Sequence, residues 1–341
     1  MEGLMLSRAV RSLSVAAASA LTLTATAAAA SGPPPPPTSA NGNPVQLVTS
    51  GIPTPTSFAF SAGTMFVGDG GSSESGPPNG GVWAVTNGSA TKLPGPAFAA
   101  GVAWRKGTLY VSAGTVTASA TKWQLLAWSG WNGTSFTKQK VIWTAPKKLD
   151  GLNGIAFGPD RRLYVGVDLG LTDGNDHGLA STPYVYDILS FKLNGKGLRV
   201  FATGIRQPWQ FAFAPGSKSP FVSDLGQDSG ANNPPDFLLK VKQGDDYGFP
   251  ECNWTKKKAC KSFAKPFKVF SPHTDVMGLA IIGKRLYMSE FGKQQVGSMP
   301  LHGGAVTPLL TGFAAPIVGL AAHGGWIYVG ELTGQVFRVK V

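Results

Sequence analysis

Strand-length apolar runs bounded by Gly, Pro, Asn and Asp recur along this chain, and no long stretch beyond the N-terminus keeps a helical period. Within that pattern one phrase returns six times: an apolar stretch, a turn, a Leu-Tyr-Val-like strand, then small or acidic residues. The first three instances are Phe58-Ala59-Phe60 with Met65-Phe66-Val67, Val102-Ala103-Trp104 with Leu109-Tyr110-Val111, and Ile155-Ala156-Phe157 with Leu163-Tyr164-Val165. Phe211-Ala212-Phe213 with Phe221-Val222, Leu279-Ala280-Ile281 with Leu286-Tyr287-Met288, and Leu320-Ala321-Ala322 with Ile327-Tyr328-Val329 complete the set. The aromatic positions 66, 110, 164, 221, 287 and 328 stand 44, 54, 57, 66 and 41 residues apart, the period of four-stranded propeller blades with loop insertions. The expectation is an all-β, six-bladed β-propeller.

The chain ends bear on closure of such a ring. Most blades finish in a strand like Leu198-Arg199-Val200-Phe201 or Val306-Thr307-Pro308-Leu309, but the sixth phrase reaches Val341 without one. A matching segment stands at the other end, Val45-Gln46-Leu47-Val48-Thr49-Ser50-Gly51. It is expected to complete the last blade beside strands ending near Phe337, which removes two open sheet edges.

Composition fits one large turn-rich domain: 341 residues, 43% hydrophobic, with 45 Gly and 26 Pro. Residues 1–30 read differently, with Arg8 and Arg11 before an uncharged run that ends in Ala27-Ala28-Ala29-Ala30. That is the order of a secretory signal peptide, so the protein is expected to be secreted, extracellular or wall-associated, with no stable membrane insertion once the leader is removed. Residues 31–43, including Pro33 to Pro37, read as a stiff Pro-rich linker, leaving 44–341 for the propeller. Cys252 and Cys260 lie close together in an exported chain, which favours a local disulfide over two free thiols.

Formal net charge is +12, and without the leader 28 basic residues face 17 acidic ones, a balance of +11. Lys256, Lys257, Lys258, Lys261, Lys265 and Lys268 concentrate part of it. Outside a cell such a patch suits anionic cell-wall polymers or acidic glycans better than nucleic acid, and a merely solubilising loop stays an equal alternative.

The most informative run is Gly204-Ile205-Arg206-Gln207-Pro208-Trp209, followed by Ser223-Asp224-Leu225-Gly226-Gln227-Asp228 and Gly244-Asp245-Asp246-Tyr247-Gly248-Phe249-Pro250. In order and spacing it resembles the soluble quinoprotein glucose/sorbosone dehydrogenase family. Pro272-His273-Thr274-Asp275-Val276-Met277-Gly278-Leu279 is similar to a segment of the sorbosone branch, and the likeness covers about residues 150–341. The resemblance implies a secreted propeller that binds pyrroloquinoline quinone (PQQ), often with calcium, and oxidises a sugar. That reaction needs a base for the hydroxyl proton and cations for the cofactor carboxylates and the developing oxyanion.

Arg206 matches the family arginine placed over the quinone, and Gln207 stands where the family has Asn. Asp224, Gly226, Gln227 and Asp228 match the calcium-holding turn, with oxygen ligands of suitable chemistry. The family's base is a His eight residues before the Gly-Pro-Asp turn, and here that position is Asp150. Asp150 or Asp168 is the expected proton acceptor, a carboxylate that is a weak base at neutral pH unless burial raises its pKa from about 3.9. Phe313-Ala314-Ala315-Pro316 occupies the place of the family's last-blade arginines, which leaves Lys293 to hold the cofactor.

Two other readings remain open. One is a propeller that binds glycan or protein through its axial face without cofactor chemistry. The other follows from Leu152-Asn153-Gly154-Ile155-Ala156-Phe157-Gly158-Pro159-Asp160 and Leu163-Tyr164-Val165-Gly166-Val167-Asp168, which look like phrases of gluconolactonase-type propellers. There Asn153 and Asp168 would bind a divalent metal that polarises a lactone carbonyl. Gly278 to Lys284 has phosphate-loop spacing, but Arg285 stands where Ser or Thr must hold magnesium. A Gly-x-Ser-x-Gly elbow does not occur.

Overall fold

A computed structural model describes residues 35–71, 79–116, 121–147, 149, 151–168, 182–227 and 233–341. The expected leader, the first part of the linker, and Asp150 and Asp228 lie outside these residues. The alternating runs fold into strands, and the described residues contain no helix. Two short strands come first, β1 (Thr38–Ser39) and β2 (Gln46–Thr49). Blade 1 is β3 (Pro55–Ser61), β4 (Thr64–Asp69), β5 (Gly81–Thr86) and β6 (Ser89–Lys92). Blade 2 is β7 (Phe98–Arg105), β8 (Thr108–Val116), β9 (Thr121–Trp131) and β10 (Phe136–Thr144). In blade 3 come β11 (Gly151–Phe157), β12 (Leu163–Asp168), β13 (Ile188–Phe191) and β14 (Arg199–Ala202). Blade 4 holds β15 (Pro208–Ala212), β16 (Phe221–Asp224), β17 (Phe237–Lys240) and β18 (Lys268–Val269). Blade 5 holds β19 (Val276–Ile282), β20 (Arg285–Glu290), β21 (Gln295–Pro300) and β22 (Thr307–Thr311), and blade 6 holds β23 (Ile317–His323), β24 (Trp326–Glu331) and β25 (Val336–Lys340).

Every blade is an antiparallel meander, and each first strand touches the first strand of the next, β23 touching β3 to close the ring. β2 supplies the fourth strand of blade 6 in the order β2-β25-β24-β23, with Gln46 opposite Arg338 and Leu47 opposite Phe337. The N-terminal stretch does more than the repeat announced. β1 adds to the outer edge of blade 5, Thr38 opposite Thr311, while the side-chain amides of Asn41 and Asn43 donate to the Lys340 carbonyl at 3.0 and 2.8 Å.

The core is divided among the seams between blades. Phe66, Val82, Leu109 and Trp128 fill the seam of blades 1 and 2, and Tyr110, Leu152, Leu163 and Phe191 that of blades 2 and 3. Corresponding clusters occupy the remaining seams, each formed by opposite faces of adjacent sheets. A buried polar contact closes five of these seams at the hub. Side chains of Thr56, Ser112, Asn153, Ser223 and Ser289 donate to the carbonyls of Ala99, Asn153, Pro208, Met277 and Val318 on the next inner strand, at 2.8, 2.5, 3.2, 2.7 and 2.8 Å. In blade 3, Gly166 stands in line with Ser112 and Ser223, and a Cβ there would lie 2.0 Å from the Pro208 carbonyl oxygen.

Each inner strand begins where its neighbouring second strand ends: Pro55 pairs with Asp69, Phe98 with Gly114, Gly151 with Asp168, Pro208 with Asp224, Val276 with Glu290 and Ile317 with Glu331. These ends define one face of the ring. Arg206, Gln207, Asp168, Asp224 and Lys293 all belong to it, which is what positions the site.

Candidate functional site

The carboxylates at the ends of the second strands are buried in five blades: Asp69, Asp168, Asp224, Glu290 and Glu331. Where their bonds are seen, they accept from the backbone entering the inner strand. Asp69 accepts from Thr54 N at 2.9 Å, Asp224 from Gln207 N at 2.8 Å and Glu331 from Ala315 N at 2.5 Å. A carboxylate here therefore satisfies a turn that would otherwise bury an unpaired N–H. The acidic end of the repeated phrase has this structural use in blades 1, 4 and 6, and Asp224 shares it.

Blade 4 builds most around its acid. The turn after β16 carries the carbonyls of Leu225 and Gly226, and Nη1 of the buried Arg206 donates to both, at 3.1 and 2.5 Å, and to Gln207 Oε1 at 3.3 Å. Of the turn assigned by resemblance to calcium, the Gly226 carbonyl is thus engaged by a guanidinium, a permanent cation with a fork of donors. Gly226 is required at that turn: a Cβ would lie 2.8 Å from the Pro235 carbonyl oxygen. Gly226 N donates to Asp236 Oδ1 at 2.7 Å, and Asp275 N donates to Asp236 Oδ2 at 2.9 Å, so the buried Asp236 ties this turn to the start of blade 5.

Burial pushes the Asp224 carboxyl up to about 7, helped by the nearby Asp236 and opposed by the Gln207 N–H and the Arg206 charge. Burial and then the Asp245 carboxylate push the Tyr247 hydroxyl well above its ordinary range. Both residues line a narrow cavity that is partly open to solvent. Arg206, Gly226, Gln227, Phe249 and Trp254 share that lining. A disulfide joins Cys252 and Cys260, and Cys252 and Asn253 also border the cavity, Asn253 Nδ2 donating to Gln227 Oε1 at 3.2 Å.

The predicted residues therefore divide. Arg206, Gln207, Asp224, Gly226 and Gln227 are brought together in blade 4. Asp168 and Asn153 sit one blade away, and Asn153 uses its amide on the Pro208 carbonyl at the seam rather than in the cavity. Lys293 lies on the other side, in the turn after β20, with its ammonium 3.6 Å from Glu290 Oε2. The second oxygen of Glu290 is buried and, among the described residues, has no hydrogen-bond partner. At the hub, Trp209, Leu225, Met277, Phe291 and Val318 pack together with Leu332. Sequence reasoning missed Asp236 as an organising residue and the shared use of Asp69, Asp224 and Glu331 as backbone acceptors. The second was signalled by Gly68-Asp69, Val167-Asp168, Ser223-Asp224, Ser289-Glu290 and Gly330-Glu331 at one place in the repeat.

Similarity to solved structures follows the architecture. A PQQ-bound aldose sugar dehydrogenase from Streptomyces coelicolor superposes with a TM-score of 0.67 at 19% identity, over 89% of this chain and 99% of that one. The fold is that of the soluble sugar dehydrogenase propellers. A glucose dehydrogenase-type oxidoreductase of Thermus thermophilus gives 0.70 at 20% identity, over 87% of this chain and 100% of the other. A Trichoderma reesei carbohydrate-active enzyme of family AA12 gives 0.71 at 16%, over 92% and 100%. No protein-family model and no curated protein sequence matches the chain.

Proposed function

We propose that this protein is a secreted oxidoreductase that oxidises a sugar hydroxyl in the blade 4 cavity, with PQQ as hydride acceptor. The observation that carries the reading is the juxtaposition of Arg206 and Asp224 in one cavity of a sugar dehydrogenase fold. PQQ is a flat aromatic tricarboxylate, so it needs an apolar surface rimmed by cations. The residues that would meet that need are the hub cluster around Trp209 and Phe291, which includes the cavity-lining Leu225, with Arg206 bonded to the Leu225 carbonyl and Lys293 two residues beyond Phe291. Bound there, PQQ supplies hydride acceptance. Calcium does not fit the Leu225 and Gly226 oxygens while Arg206 holds them.

The chain's own contribution is acid–base and electrostatic. A carboxyl with its pKa near neutrality combines a useful ionised fraction with real basicity, which suits Asp224 to take the proton of a sugar hydroxyl. Arg206 supplies positive charge beside the oxygen on which negative charge develops. Trp254 and Tyr247 offer ring faces to a sugar, and the Gln227 and Asn253 amides offer hydrogen bonds.

Titrating the protein with PQQ while following cofactor absorbance, then adding aldoses with a redox dye, tests the reading. Saturable binding and sugar-dependent reduction are expected, and Asp224→Asn should lower the rate by about 100-fold or more while cofactor binding is kept. Arg206→Ala should weaken both. Failure to bind PQQ and to reduce dye with any aldose would discard the oxidoreductase in favour of a glycan-binding propeller.

A further inference from the structure

Between β17 and β18 the chain makes a long excursion that ends on the rim of the cavity. It is held in place rather than loose: the disulfide closes it with a Cα–Cα distance of 5.1 Å, and both cysteines are buried. Cys252 N donates to the Gly248 carbonyl at 2.7 Å and Ala264 N to the Asp246 carbonyl at 2.8 Å, anchoring each side. On this frame Lys256, Lys257, Lys258, Lys261 and Lys265 are all exposed. Among the described residues none of these lysine ammoniums has an ion-pair or hydrogen-bond partner, whereas the Lys268 ammonium donates to the Gly304 carbonyl. Glu251 is the single acid in residues 251–268, and that stretch contains no Arg.

Unpaired charge of one sign on a fixed frame raises the local concentration of an opposite-charged polymer, and a stapled loop loses little entropy on binding it. We infer that this loop is a docking surface for a carboxylated polysaccharide. Lysine ammoniums are point charges that suit carboxylates spaced along a glycan, and phosphate-directed surfaces favour the bidentate Arg fork that is missing here. Just before the lysines in the chain, the partly buried Trp254 and Asn253 line the cavity, an aromatic side chain beside a hydrogen-bonding amide that suits a pyranose ring. Docking is independent of whether the cavity oxidises its ligand.

The test is calorimetric titration of the disulfide-bonded protein with polygalacturonate, neutral dextran and a single-stranded oligonucleotide. Binding to polygalacturonate alone is expected, weakening by about tenfold between about 50 and 300 mM salt. Replacing Lys256, Lys257 and Lys258 together by Ser should weaken it by about tenfold or more with an unchanged melting curve. The control variant Lys138→Ser with Lys140→Ser, on the outer strand of blade 2, should bind as the parent does. No binding at low salt, equal binding of the oligonucleotide, or an unaffected triple variant would each overturn the inference.

Discussion

At the scale of single residues, Asp224 shows how one side chain is given two tasks by its surroundings. Its position at the end of a second strand makes it an acceptor for the Gln207 N–H, and its depth raises its pKa to about 7. The folded pKa lies above the ordinary value of 3.8, so the native state binds this proton more tightly than the unfolded chain. The resulting stabilisation is full below the ordinary carboxylate range and is lost as pH rises through about 7. Asp224→Asn keeps an acceptor oxygen and carries no charge. Its denaturant stability relative to the parent should therefore improve steadily from pH about 4 to 7, by up to about 1.4 kcal/mol per unit. A constant difference across that range would show that Asp224 titrates normally. Arg206 was legible from its motif, but its engagement with the Leu225 and Gly226 carbonyls was not, because those partners come from a turn about twenty residues away.

Among elements, the seams carry the strongest expectations. The Ser223 hydroxyl donates to the Met277 carbonyl at 2.7 Å in a buried place, so Ser223→Ala leaves that carbonyl unpaired and should cost about 1–3 kcal/mol. Gly166→Ala forces a Cβ against the backbone of Pro208, which cannot rotate away, and should destabilise by about 1–3 kcal/mol or more. Urea denaturation of both variants checks these values, and a neutral Gly166→Ala would mean that blades 3 and 4 slide apart freely. The disulfide closes a short loop across a sequence separation of 8, for which chain entropy gives about 2–3 kcal/mol. Cys252→Ser with Cys260→Ser should lose that amount, and limited proteolysis should then cut near Lys256 to Lys258 first. The strands themselves could be read from alternation and turn residues, which act locally. The seam partners could not, since Ser112 with Asn153 and Ser223 with Met277 are 41 and 54 residues apart.

For the whole molecule, closure is the controlling feature. The ring has no free end because β2 lies on β25, and β1 with Asn41 and Asn43 adds a second clasp across blades 5 and 6. A chain starting at Pro35 keeps both strands and should melt like the parent. One starting at Gly51 exposes the edge of β25, and should lose its single cooperative transition and self-associate on a sizing column. Unchanged melting of the shorter chain would remove the clasp from the account. By itself the sequence determined the number of blades, their order and the N-terminal closure, because each is written in short-range period and turn chemistry repeated along the chain. Tertiary structure alone decided that buried acids in three blades hold the backbone entering the inner strand, that Arg206 meets the Leu225 and Gly226 carbonyls, and that a disulfide-closed loop bears exposed lysines close in sequence to the cavity-lining Asn253 and Trp254. Those facts depend on burial and on contacts between residues brought together only when the blades pack, as Asp236 is with Gly226 and Asp275.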